Sequence, residues 1–204
     1  MPEYKIPETK VKFKDVFNLK NLYIMMHEYL VEEKWFGEVS PVGQSPDKLH
    51  STIETLYLEK FHQKGLHSGG KELWIYWRLF KRPEGRYSGY LRYRLNIDFH
   101  GVYIQDREIM HQGKKIKAQW GELEIMFNGA VQTDYRQEWK EHWLLKHWQD
   151  LYEGRIISQD IEKHEKMLWR EIYRLTSVIK KYLDLRIFVP TPEPFTPKLY
   201  GMEA

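Results

Sequence analysis

A chain of 204 residues, 42% of them hydrophobic and 30% charged, has enough apolar material for one domain, or one domain with an appendage. A mean hydropathy of −0.67, with no run near the ~20 apolar residues of a spanning helix, points away from a helical membrane protein. There are no cysteines, which excludes disulfides, thiolate metal sites and cysteine nucleophiles. The N-terminus, Met1-Pro2-Glu3-Tyr4-Lys5, lacks the apolar stretch of a secretory signal, so a cytoplasmic location is the expectation. Net charge is only +3, yet residues 71–120 hold 11 Lys and Arg against 5 Asp and Glu, while the flanking segments are slightly acidic. A local basic field of this kind suggests an acidic partner.

In chain order, residues 1–10 carry two prolines and no period, the pattern of an extended arm. Val11 to Lys14 alternates as a short strand. Asn18 is a suitable N-cap for a helix to about Glu33, with Leu19, Leu22, Tyr23, Met26 and Leu30 along one stripe. The pair Glu32-Glu33 sits poorly at the negative end of its dipole, so the helix should fray there. Residues 37–50, with two prolines and two glycines, read as a loop. A strand from about Ser51 to His62 follows; apolar residues on both its sides suggest an interior strand, or one covered by something on each face. Ser68-Gly69-Gly70-Lys71 reads as a loop between strands, since it lacks the spaced first glycine of a phosphate loop.

Leu73 to Phe99 is the most regular stretch. Leu73, Ile75, Trp77 and Leu79 alternate with Trp74, Tyr76, Arg78 and Phe80. After the turn at Arg82-Pro83-Glu84-Gly85-Arg86, Leu91, Tyr93, Leu95, Ile97 and Phe99 alternate with Tyr90, Arg92, Arg94, Asn96 and Asp98. Parity shifts at Gly101 and again at Gly121, as β-bulges would produce, and Gln112-Gly113 resembles a two-residue hairpin turn. Alternation then continues to about Tyr135. Glu138 to Glu153 predicts a helix carrying Trp139, Trp143, Leu144, Trp148 and Leu151, closed by Gly154. Ser158 opens the best helix of the chain, to about Leu185, with the seam Ile161, Leu168, Ile172, Leu175, Ile179 and Tyr182. Residues 189–204 contain four prolines and should be an extended tail.

The fold expected is α+β: an antiparallel meander of four to six strands packed on a long C-terminal amphipathic helix. It forms one domain over residues 1–188, followed by the Pro-rich tail 189–204. Helix, meander and long terminal helix, in that order, resemble the helix-grip arrangement of START-like and polyketide-cyclase-like proteins. The resemblance implies a ligand cavity between sheet and helix.

One face of the Leu73–Phe99 hairpin is a core, and the other presents Trp74, Tyr76, Arg78, Tyr90, Arg92 and Arg94. Rings stack on bases or apolar groups, and guanidinium groups pair with phosphates or carboxylates. The same face is equally suited to being covered by the tryptophan-rich segment 138–153. Phe195, Leu199 and Tyr200 are apolar anchors by which the tail could dock. Asp98 and His100, two apart, point the same way as an acid/base pair would, but no third member is in sight. Glu138 and His142 have a metal-holding i, i+4 spacing, yet His142 and His147 diverge around a helix, and His164 has no matching partner. There is no G-x-S-x-G, H-E-x-x-H or dinucleotide fingerprint. These patterns predict a non-enzymatic interaction or assembly protein with no cofactor, no metal and no membrane partner, binding copies of itself or an acidic partner. The alternatives are a single-stranded nucleic-acid-binding domain and a START-like ligand carrier or cyclase, the latter needing Tyr93 or Tyr57 to line a pocket.

Overall fold

The alternation around Leu73 and Leu95 becomes the centre of an antiparallel sheet. In the computed structural model, which describes residues 2–37, 53–64, 68–111 and 114–185, β5 (Lys71–Lys81) pairs with β6 (Leu91–His111) and β6 with β7 (Lys114–Thr133). Beyond β7 lie β1 (Glu3–Lys5) and β2 (Thr9–Phe17), end to end. Beyond β5 lie β3 (Phe36–Gly37) and β4 (Glu54–Phe61). The sheet thus has seven strands where the pattern predicts four to six. The difference comes from β1 and β3, too short to display a period.

The odd-numbered residues Leu73 to Leu79 of β5 and Leu91 to Phe99 of β6, with Leu123, Ile125 and Phe127 of β7, point to one face and are almost wholly buried. Two helices cover that face. α1 (Leu19–Glu32) buries Leu22, Met26 and Leu30, and its Tyr23 meets the Trp77 ring edge-on with centroids 4.8 Å apart. Asn18 caps it, accepting a hydrogen bond from the Asn21 N–H at 3.0 Å. The helix ends at the acidic pair, with Lys34 in the left-handed region beyond. α4 (Ser158–Tyr182) lays the predicted seam on the sheet, closest at Gly129, where a Cβ would stand 2.7 Å from Ile172 Cδ1. Tyr182 departs from the seam: its ring is partly exposed and its hydroxyl donates to the Asn18 carbonyl. The architecture is therefore α+β, with a large antiparallel sheet and the C-terminal helix packed against it.

Several expectations need correction. The arm 1–10 is extended, but it is part of the sheet and not an appendage. Glu3–Lys5 pairs with Ala130–Gln132, and Ile6 reaches the core. Among the described residues the strand after residue 50 is not interior, because β4 pairs there with β5 alone and lies at the sheet edge. Segment 138–153 is not one helix. It breaks into α2 (Glu138–Glu141), a 3-10 turn at Leu145–His147, α3 (Gln149–Leu151) and a π turn at Tyr152–Ile156. Trp143 and Trp148 face solvent, so no core stabilises a continuous stripe, and a short helix without one is marginal in water.

The parity shifts at Gly101 and Gly121 resolve into one irregularity, where β6 inserts extra residues between Val102 and Gln105 opposite Gly121. Tyr103 takes a positive φ there, and a Cβ on Gly121 would stand 3.0 Å from Ile104 Cα. The strands β6 and β7 meet His111 to Lys114. Gln112-Gly113, the loop 37–50 beyond Gly37 and the whole tail 189–204, with Phe195, Leu199 and Tyr200, lie outside the described residues. So does the boundary at residue 188. No helix among the described residues is long and apolar enough to cross a membrane.

Candidate functional site

The even-numbered residues Trp74 to Phe80 of β5 and Arg92 to His100 of β6 form the sheet face away from both helices. Strand register brings Leu58, Trp74 and His100 into one row and Leu56, Tyr76 and Asp98 into the next. Trp74 stacks on His100 with ring centroids 3.6 Å apart and planes 16° from parallel. The Glu72 carboxylate holds His100 Nε2 at 3.2 Å and His62 Nε2 at 3.1 Å, and these bonds keep its carboxyl below the usual range. His100 therefore turns to Glu72 and not to Asp98, whose carboxylate pairs with Arg78. The acid/base pairing suggested by their spacing is not formed.

The arginines of this face are tied to the protein's own groups. Arg94 donates to Glu3 at 2.7 Å, Gln132 donates to the same oxygen at 2.7 Å, and Arg92 Nε donates to Gln132 at 2.9 Å. The Arg92 guanidinium also lies 4.2 Å from the Phe80 centroid and, with Arg82 and Arg136, surrounds the Tyr135 ring. Tyr90 does not share the face with the rest. It precedes β6 and packs between Trp139 and Tyr152, with its hydroxyl on the buried Glu153 carboxylate at 2.6 Å. The positive excess of residues 71–120 is answered in part by carboxylates from outside that segment: Glu3 on Arg94, Glu59 on Lys71, and Glu33 and Glu171 on Lys81.

Segment 138–153 contacts Tyr90 at the end of the sheet and forms no lid over Trp74, Tyr76 or Arg78 among the described contacts. Two apolar surfaces emerge that no period in the sequence marks. On β4, Leu56, Tyr57, Leu58 and Phe61 are all 41–57% exposed, on both sides of an edge strand. On the broken segment, Trp143 is 78% exposed, with Leu144, Trp148, Leu151 and Ile156 also open to solvent. Two-sided apolarity in residues 51–62 was the available signal for the first. It is shared by interior strands and by edge strands that bind a partner.

A polar cleft of about 520 Å³ opens between the end of α1, the β5–β6 turn and α4. Tyr93 and His164 stand in its wall, the phenolic oxygen 2.6 Å from His164 Nδ1. Burial pushes the Tyr93 hydroxyl well above its usual pKa and lowers that of His164, so both are neutral at pH 7 and share a neutral hydrogen bond. Lys81 crosses the cleft to Glu171 at 2.9 Å. Tyr57, the other candidate pocket residue, lines a small hollow of about 100 Å³ beside Leu19 and Lys71.

The helical metal spacing also dissolves. Glu138 pairs with Arg136, and His142 Nδ1 accepts from the Leu144 and Leu145 N–H groups. Among the described residues no group of three or more His, Asp or Glu side chains is placed to hold a metal ion. Compared with protein-family models, curated proteins and solved structures, the chain matches none of them.

Proposed function

We propose that this is a non-enzymatic interaction or assembly protein that binds neighbouring protein subunits at the β4 edge and the aromatic half of the adjoining sheet face. One observation carries the reading: β4 is an eight-residue edge strand with exposed apolar side chains on both faces. Folded proteins blunt such edges with charge, proline or a covering element, because their unpaired main-chain groups template strand addition. Leu56 and Leu58 continue into Tyr76 and Trp74, so an added strand would find apolar partners as well as hydrogen bonds. The arginine half of the face supports a nucleic-acid role less, since phosphates would have to displace Asp98 and Glu3. The tail anchors Phe195, Leu199 and Tyr200 remain part of the proposal on sequence grounds.

Light scattering across a concentration series tests it. The protein should associate, and Leu56→Lys with Leu58→Lys should abolish association while leaving the melting transition in place. A concentration-independent monomer that also pairs with no strand peptide would overturn the reading. Steeply salt-dependent binding of single-stranded oligonucleotides, lost in Arg92→Ala with Arg94→Ala, would replace it with the nucleic-acid alternative. The START-like ligand-binding alternative has support of its own in the cleft beside Tyr93.

A further inference from the structure

The cleft between α1, the β5–β6 turn and α4 has the size of a small-molecule site, within the usual ~300–1,000 Å³. Its cations fall into two groups. Lys34 is held by Glu84 at 2.9 Å, and Lys81 by Glu171 and Glu33, with its ammonium over the Trp35 ring. Arg170 and Arg174 differ. They line the cleft one helical turn apart on α4, and among the described residues neither has a carboxylate within ion-pair distance. Like charges at this spacing repel, so their juxtaposition costs stability unless an anion lies between them. The wall beside them is the neutral Tyr93–His164 pair. Tyr93 and His164 satisfy one another across 2.6 Å and bring no negative charge to the wall.

We propose that this cleft binds a small oxyanion, a carboxylate- or phosphate-bearing organic molecule, clamped by Arg170 and Arg174 with His164 in the adjoining wall. Guanidinium pairs bind both kinds of oxyanion through paired N–H groups, and desolvation inside a cleft strengthens those bonds. Glu171 and Glu33 keep the Lys81 ammonium occupied and Glu84 that of Lys34, so the selectivity rests on the two arginines, with Glu32 the remaining carboxylate of the lining.

Calorimetric titration of the full chain with inorganic phosphate, glycerol phosphate and malonate tests this, against chloride at matched ionic strength. At least one oxyanion should bind saturably. Arg170→Gln with Arg174→Gln should weaken it by roughly tenfold or more, His164→Gln should weaken it less, and Lys181→Gln, on the same helix outside the cleft, should leave it unchanged. Binding of malonate alone marks a carboxylate ligand, and binding of the phosphates alone marks a phosphorylated one. Binding of none, equal binding of chloride, or full retention by the double arginine variant would overturn the proposal. The Leu56→Lys, Leu58→Lys protein should bind the anion as the unaltered chain does, which separates this result from the fate of the assembly reading.

Discussion

The hydroxyl of Tyr90 lies 2.6 Å from the Glu153 carboxylate, joining the start of β6 to the turn that leads into α4. Glu153 is only 5% exposed and is satisfied by neutral donors: Tyr90, Gln149 Nε2 at 2.9 Å and the Tyr4 hydroxyl at 3.3 Å. Desolvation and the adjacent carboxylate push the Tyr90 hydroxyl far above its usual pKa, so it remains a donor throughout the accessible range. Removing that donor strands part of a buried carboxylate. Tyr90→Phe should cost about 1–3 kcal/mol in chemical denaturation. A variant as stable as the parent would show that water substitutes freely at this joint.

Stability should also depend on pH through His164. Burial lowers its pKa from the ordinary 6.5, opposed in part by Asp160 and reinforced by Lys163, while Tyr93 and the edge of Tyr87 enclose the ring. Below 6.5 the unfolded chain takes up a proton that the folded chain resists. This contribution is therefore complete above about pH 6.5 and is lost as pH falls from there toward the depressed folded value. His164→Gln should lack it, so the two denaturation curves should converge on acidification. Parallel curves between pH 7 and 5 would refute the assignment.

Backbone crowding at the irregularity in β6 makes a third expectation. A Cβ on Gly70 would stand 2.6 Å from Tyr103 Cδ2 and 2.9 Å from Tyr103 Cα, and the latter is main chain that side-chain rotation cannot relieve. Gly70→Ala should destabilise the fold by about 1–3 kcal/mol. Gly85→Ala, where a Cβ would meet nothing within 4 Å, should suffer only from the positive φ of that turn. Comparing their thermal transitions separates collision from backbone preference.

The N-cap of α1 offers a simpler test. Asn18→Ala removes the bond to the Asn21 N–H and should cost about 1 kcal/mol, read as a lowered denaturation midpoint with an unchanged slope.

Much of this fold was legible because its dominant signals are local. Asn18 announces a cap by its chemistry, Leu73–Leu79 and Leu91–Phe99 announce strands by period two, and the seam from Ile161 to Ile179 announces a helix by period 3.6. The sheet face was legible in part. Trp74, Tyr76, Arg78, Arg92 and Arg94 do lie on one face, but alternation alone could not show Tyr90 leaving it for Glu153, nor Glu3 arriving from a strand 91 residues away to meet Arg94.

The sequence by itself determined the class of the protein, the core face of the hairpin and the long terminal helix, because each follows from how neighbouring side chains repeat along the backbone. Tertiary structure decided which charges are neutralised, that β4 is an edge and not an interior strand, that residues 138–153 break into turns, and that Arg170, Arg174, Tyr93 and His164 border one cleft. Those outcomes depend on contacts between residues distant in the chain, and no local period encodes them.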